Sequence, residues 1–110
     1  MNLSRPPGAF NRRVAIEAPV ETADGAGGVV RSYEAVARAW AEIAPASAHD
    51  ISLASIHSQV VTHRVFMRAE WPLSLRHRLR FGHRVLRIVS LRDADGSGRF
   101  HDIRAEEVVD

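Results

Sequence analysis

Arg76, Arg78 and Arg80 occupy alternate positions of one extended run and form the most chemically suggestive pattern in this chain. On a β-strand such side chains share a face at about 6.5–7 Å separation, a spacing that can track phosphates. No aromatic residue is interleaved on that face to stack a base, so single-strand binding is poorly supported. The favoured reading is a solvated or partner-facing edge that pairs with carboxylates, although exposed pairs of this kind contribute little singly.

Other chemistry is sought with less return. His49, His57, His63, His77, His83 and His101 show no H-E-x-x-H or comparable ligand spacing, so no metal site is assigned. His63 and His77 fall on core-side positions and need hydrogen-bond partners. Asp93-Ala94-Asp95-Gly96 resembles a calcium loop, but the glycine comes two positions early and the closing glutamate is missing. The glycine-rich stretch at 23–28 lacks the Lys and Ser/Thr of a phosphate loop, and no G-x-S-x-G elbow is present. Catalytic, cofactor and metal residues are therefore none, and the chain reads as a non-enzyme.

The bulk properties fit a single folded domain spanning residues 1–110. Its 110 residues are 45% hydrophobic and 25% charged, ordinary globular values. All 15 basic residues are arginine, and the net charge of +2 is too small for a dedicated DNA-binding face. The calculated pI of 10.3 reflects arginine replacing lysine in a nearly balanced chain. Without cysteine there is no disulfide framework or thiolate site, leaving stability to the core or to oligomerisation. No apolar stretch is long enough for a membrane span or resembles a signal peptide, so a cytosolic site of synthesis is expected.

The arginine comb lies in the stretch that organises the chain, residues 60–91. Residues 61–67 alternate as a strand, and after Pro72 the alternation resumes over 73–81, with Leu73, Leu75, His77, Leu79 and Phe81 opposite the arginines. Beyond Gly82, residues 85–91 are apolar on both faces apart from Arg87 and Ser90, as in a strand covered on two sides. Upstream, a proline-containing arm (1–11) precedes a first strand expected to end near Pro19, then a glycine loop and a returning strand at 29–33. Residues 35–43 could be helix or strand and are assigned mainly to strand. Residues 46–57 carry the helical credentials: Ser47 as a cap, Asp50 in the first turn, and Ile51, Ser55 and Ile56 near one face. A turn at 93–98 then leads into a short strand at 100–103, followed by an acidic tail (105–110). The expected fold is all-β: a small β-barrel or sandwich of short antiparallel strands, with a long loop carrying one short helix. Trp40, Val65, Leu86 and Ile88 are assigned to its core.

Several blocks taken in order resemble the phage head-tail joining family, whose members are also called head-closure or stopper proteins and occur in gene transfer agents. They are Phe10-Asn11-Arg12-Arg13-Val14-Ala15-Ile16, the loop at 22–28 leading to Val29-Val30-Arg31-Ser32-Tyr33, and Ala39-Trp40-Ala41-Glu42-Ile43-Ala44-Pro45. Thr62-His63-Arg64-Val65 and Arg80-Phe81-Gly82-His83-Arg84-Val85-Leu86-Arg87-Ile88 complete the set. None is specific alone; order and spacing carry the likeness. The resemblance implies a homo-oligomeric ring of six or twelve copies between the portal or adaptor protein and the tail terminator or tail tube protein. Double-stranded DNA passes through its channel non-specifically. It also implies that the excursion after the second strand, carrying His49, Asp50 and His57, faces the channel or a neighbour. Arg76, Arg78 and Arg80, with Glu106 and Glu107, are the expected subunit or partner interface. No catalytic residue or cofactor is implied, and the expected location is the head-tail interface of a particle assembled in a bacterial cytoplasm. The alternative is a small nucleic-acid-binding β-barrel module, and an ordinary small enzyme would need a convergent polar pocket.

Overall fold

The computed structural model describes residues 10–109. Its elements are β1 (Arg12–Ala23), β2 (Val29–Pro45), α1 (Ala48–Ile56), β3 (His63–Arg68), β4 (Arg78–Phe81), β5 (Arg84–Asp93) and β6 (Phe100–Val108). All strand pairs are antiparallel, and the sheet closes on itself in the order β1-β2-β3-β6-β5-β4. Closure explains the alternation: in a small barrel every second residue must fill the interior.

The interior is packed by Val14, Ile16, Val65, Met67, Leu79, Leu86, Ile88 and Ile103, each no more than 1% exposed. Burying an aliphatic side chain of this size contributes about 1.5–3 kcal/mol. Val85, Leu86, Ile88 and Val89 are buried on both faces of β5, and Arg87 alone in that stretch is exposed. Leu86 and Ile88 point inward, and the register slips between Ile88 and Ser90, making Val89 the extra residue of a bulge. Val89 packs outside the barrel with Ala54 and Val61 under α1, while Leu91 rejoins the inner cluster. Gly82, at φ +60, makes the tight joint between β4 and β5.

Residues 29–45 form one continuous strand. Ala37, Ala39 and Ala41 face inward, which places Trp40 on the outer surface at 52% exposure, with the Arg13 guanidinium 5.2 Å from its ring centroid. The core assignment of Trp40 is thus corrected: strand parity, not residue size, decides. Val65, Leu86 and Ile88 are core residues.

Three boundaries also differ from expectation. β1 passes through Pro19 to Ala23, paired with β2 throughout. The strand expected from 73 begins only at Arg78, because residues 74–77 turn: Ser74 N donates to His77 Nδ1 at 3.0 Å and His77 N donates to the Ser74 carbonyl at 3.2 Å. Leu75 is accordingly exposed. β6 continues through Glu106 and Glu107 to Val108, with Ile103 and Ala105 inside, so the acidic segment is mostly strand and not tail. Of the expected N-terminal arm, residues 1–9 lie outside the described residues, as does Asp110.

The excursion between β2 and β3 carries α1, capped by the Ser47 hydroxyl, which accepts from Asp50 N at 3.1 Å. At the other end of β2, the hairpin outgrows the barrel. β1 pairs β4 only at residues 15–17 and β2 pairs β3 only at 41–45, so among the described residues 18–23 and 29–34 pair only with each other, while 35–40 pair with 13–17 of β1. The register slip opposite Ile16 and Glu17 makes Val36 the extra residue where the hairpin leaves the barrel. This arm helps stretch the molecule to 52 × 31 × 27 Å. Its tip is fixed by Asp24, whose Oδ1 accepts from Ala26 N (2.8 Å) and Gly28 N (3.0 Å).

Candidate assembly surfaces

Strand pairing brings Glu17 of β1 opposite Arg78 of β4 and beside Arg80. Arg78 Nε donates to Glu17 Oε1 at 2.6 Å, and Arg80 Nε donates to Oε2 at 3.1 Å. Burial raises the cost of charge on Glu17, yet the two guanidinium hydrogen bonds outweigh it and hold its carboxyl below the usual glutamate range. Arg78 also lies 3.8 Å from the Tyr33 ring centroid. Two of the three comb residues are therefore committed within the chain, and Arg76 lies separately, exposed in the turn before β4. Glu17→Gln should lower stability by about 1–3 kcal/mol, since a neutral amide leaves two partly buried cations short of a charged acceptor. The midpoint of urea unfolding reads this directly.

Glu106 and Glu107 also have partners in the chain. Arg87 Nη2 donates to Glu106 Oε1 at 2.8 Å and Arg84 Nε donates to Glu107 Oε2 at 3.0 Å. Beside them, Arg84 Nη2 meets His63 Nε2 at 3.2 Å, and His63 Nδ1 meets Thr62 Oγ1 at 2.9 Å. An arginine can only donate, so neutral His63 carries its proton on Nδ1 and gives it to Thr62. Burial and Arg84 hold the His63 pKa below its usual value, against a smaller opposing effect of Glu107. The arginines, Glu106 and Glu107 thus form a laced outer surface, and the groove beside it, about 500 Å³, is lined by Arg31, Tyr33, Arg76, Arg78 and Arg87.

α1 brings His49, Asp50 and His57 to one cleft of about 360 Å³ against β5 and β6. Asp50 is the anchor: Arg104 Nε lies 2.8 Å from its Oδ1 and Arg64 Nε 3.7 Å from its Oδ2. Arg104 also pairs with buried Asp102, which Arg92 approaches at 3.4 Å. The excursion also exposes apolar side chains, Ile51, Ile56 and Val60 at half or more, with Leu53 at the rim of the cleft. Among the described residues, no group of three or more His, Cys, Asp or Glu is placed to hold a metal. Glu17, Asp102 and Arg104 were not singled out from sequence; their signal is strand register, visible only after closure.

What this geometry offers is surface for other proteins: apolar patches on α1, an uncovered hairpin and laced charge between them. No curated protein is significantly similar in sequence. Among solved structures, the chain is similar to protein SF1141 from Shigella flexneri 2a, with a TM-score of 0.73 and 21% identity over 97% of this chain and 96% of that one. It is also similar to a chain in the virion of a native gene transfer agent particle, with a TM-score of 0.60 and 27% identity over 91% and 96%. The model of one family, the phage head completion proteins, matches residues 5–108, and to that family of particle-building proteins this chain belongs.

Proposed function

We propose that the protein is a head-tail connector subunit of the head-closure (stopper) type, forming a homo-oligomeric ring between the portal or adaptor and the tail. The observation that carries this reading is the family match over residues 5–108, supported by the likeness to a chain of a gene transfer agent virion. DNA passes through or is retained at the ring's channel. A channel must not grip its cargo, because each neutralised phosphate adds affinity and a ring repeats every contact. Pairing of Arg78 and Arg80 with Glu17, and of Arg84 and Arg87 with Glu107 and Glu106, suits that need. It equally weakens the alternative of a nucleic-acid-binding barrel.

In this reading Arg76, Arg78, Arg80, Glu106 and Glu107 remain the candidate interface, with Arg76 most accessible to a partner's carboxylate. The excursion with His49, Asp50 and His57 faces the channel or a neighbour and lays the exposed apolar side chains of α1 against it. Assembly takes place in the bacterial cytoplasm. The test is deletion: particles lacking the protein are expected as DNA-filled or DNA-leaking heads without tails in electron micrographs. Normal tailed, infective or transducing particles would remove the assignment.

A further inference from the structure

Among the described residues, no strand pairs with either outer edge of the hairpin arm. Along β2 the open edge covers residues 29–40, and along β1 it covers 18–23. An isolated two-stranded ladder is marginal in water, and long uncovered edges invite strand addition. Exposed apolar side chains gather on the same segment: Val29 at 65%, Val30 at 57%, Val36 and Trp40. Together these observations require a cover.

We infer that the cover is a second copy of this chain, whose arm lies alongside so that β1 residues 18–23 of one copy pair with β2 residues 29–34 of the next. This rests on the ring reading above and names the contact that builds the ring. The geometry supports it in two ways. First, residues 18–23 and 29–34 are each other's partners within the arm, so they stand at the same height. Arms related by rotation about an axis running along them present these two edges to each other at that height. Second, the strands of a hairpin run in opposite directions, so side-by-side arms pointing the same way meet in antiparallel order. The contact is heterologous, different edges on its two sides, as ring closure needs.

Charge agrees with the pairing. Glu21 faces Arg31 within the arm, with Arg31 Nη2 2.6 Å from Glu21 Oε1. Repeating the register between copies places each Glu21 between two Arg31 side chains and brings no like charges together. Pro19, which has no N–H to donate, faces Tyr33 in both contacts and leaves that position without a proline-derived bond. A two-fold pairing of residues 29–40 with themselves would instead set Arg31 opposite Arg38, twice, which is unfavourable.

The absence of native cysteine makes the test clean. Full-length Glu21→Cys and Arg31→Cys proteins are prepared separately, mixed under conditions where the unsubstituted chain forms rings, and mildly oxidised. The expected result is a disulfide-linked dimer from the mixture and none from either variant alone. Thr22→Cys with Val30→Cys, the adjacent cross-strand pair, repeats the measurement should the first pair fold poorly. Rings that form without either cross-link overturn the arm contact and leave the ring reading standing. Cross-linking of Arg31→Cys with Arg38→Cys, the pair that the two-fold register sets opposite, overturns it in favour of that arrangement. If native mass spectrometry and the particle itself both lack an oligomer of the unsubstituted chain, the ring reading falls and this inference with it.

Discussion

Replacing Leu86 with alanine should lower the unfolding free energy by about 2–5 kcal/mol, because it removes a fully enclosed side chain and the barrel wall cannot collapse into the gap. Leu86 is 0% exposed and sits in the doubly covered strand β5, between Leu79 of β4 and the β6 backbone. A domain of this length has about 5–15 kcal/mol in total, so the variant loses a large fraction of it. Trp40→Ala is the informative contrast. Although it deletes a larger side chain, half of Trp40 already faces water, and its loss should cost under about 1 kcal/mol in the isolated subunit. Urea unfolding of both variants, followed by circular dichroism, separates them. A Trp40 variant as damaged as the Leu86 variant would place the core on the wrong face of β2.

That contrast also shows what was legible beforehand. Alternation along 61–67 and the apolar run along 85–91, broken only by Arg87 and Ser90, report burial directly, since each reflects which faces of a strand meet the interior, and Val65, Leu86 and Ile88 follow from it. Trp40 misleads because its neighbours Ala39 and Ala41 are small; the eye takes the large residue for the core, while the barrel has already filled with Leu79, Met67 and Ile103. α1 was readable from its cap, since Ser47 and Asp50 satisfy helix-end groups whatever lies around them. The candidate surfaces were only half readable. Arg76, Arg78 and Arg80 do lie in one run, but their relation to Glu17 depends on β1 closing the barrel against β4, a contact between residues far apart in sequence. The turn at 74–77 was hidden for a similar reason: alternation persists through it, and hydrogen bonding by Ser74 and His77 ends the strand.

Asp50→Ala should release α1 from the barrel while leaving the barrel folded. Ala54 is the helix's one buried residue, too little apolar area to hold nine residues in place, so docking depends on charge. Asp50 supplies it, 2.8 Å from Arg104 and 3.7 Å from Arg64, and removing one member of a buried ion network typically costs about 3–5 kcal/mol. The loss is local because the strands close without the helix, so exchange of α1 backbone amides should accelerate greatly while those of β5 and β6 hold. Acid should reproduce the effect. Burial disfavours charge on Asp50, but hydrogen bonds from Arg104 and Ser47 outweigh it and hold its pKa below the ordinary value. A carboxyl depressed in the folded state binds its proton more readily once released, so docking is at full strength above the usual aspartate range and weakens as pH falls through the lowered value. Release therefore begins below about pH 4. Protection of α1 lost between pH 7 and 5 would mean that a group other than Asp50 governs the helix. Equal acceleration across the barrel in Asp50→Ala would show that the helix and barrel unfold as one unit.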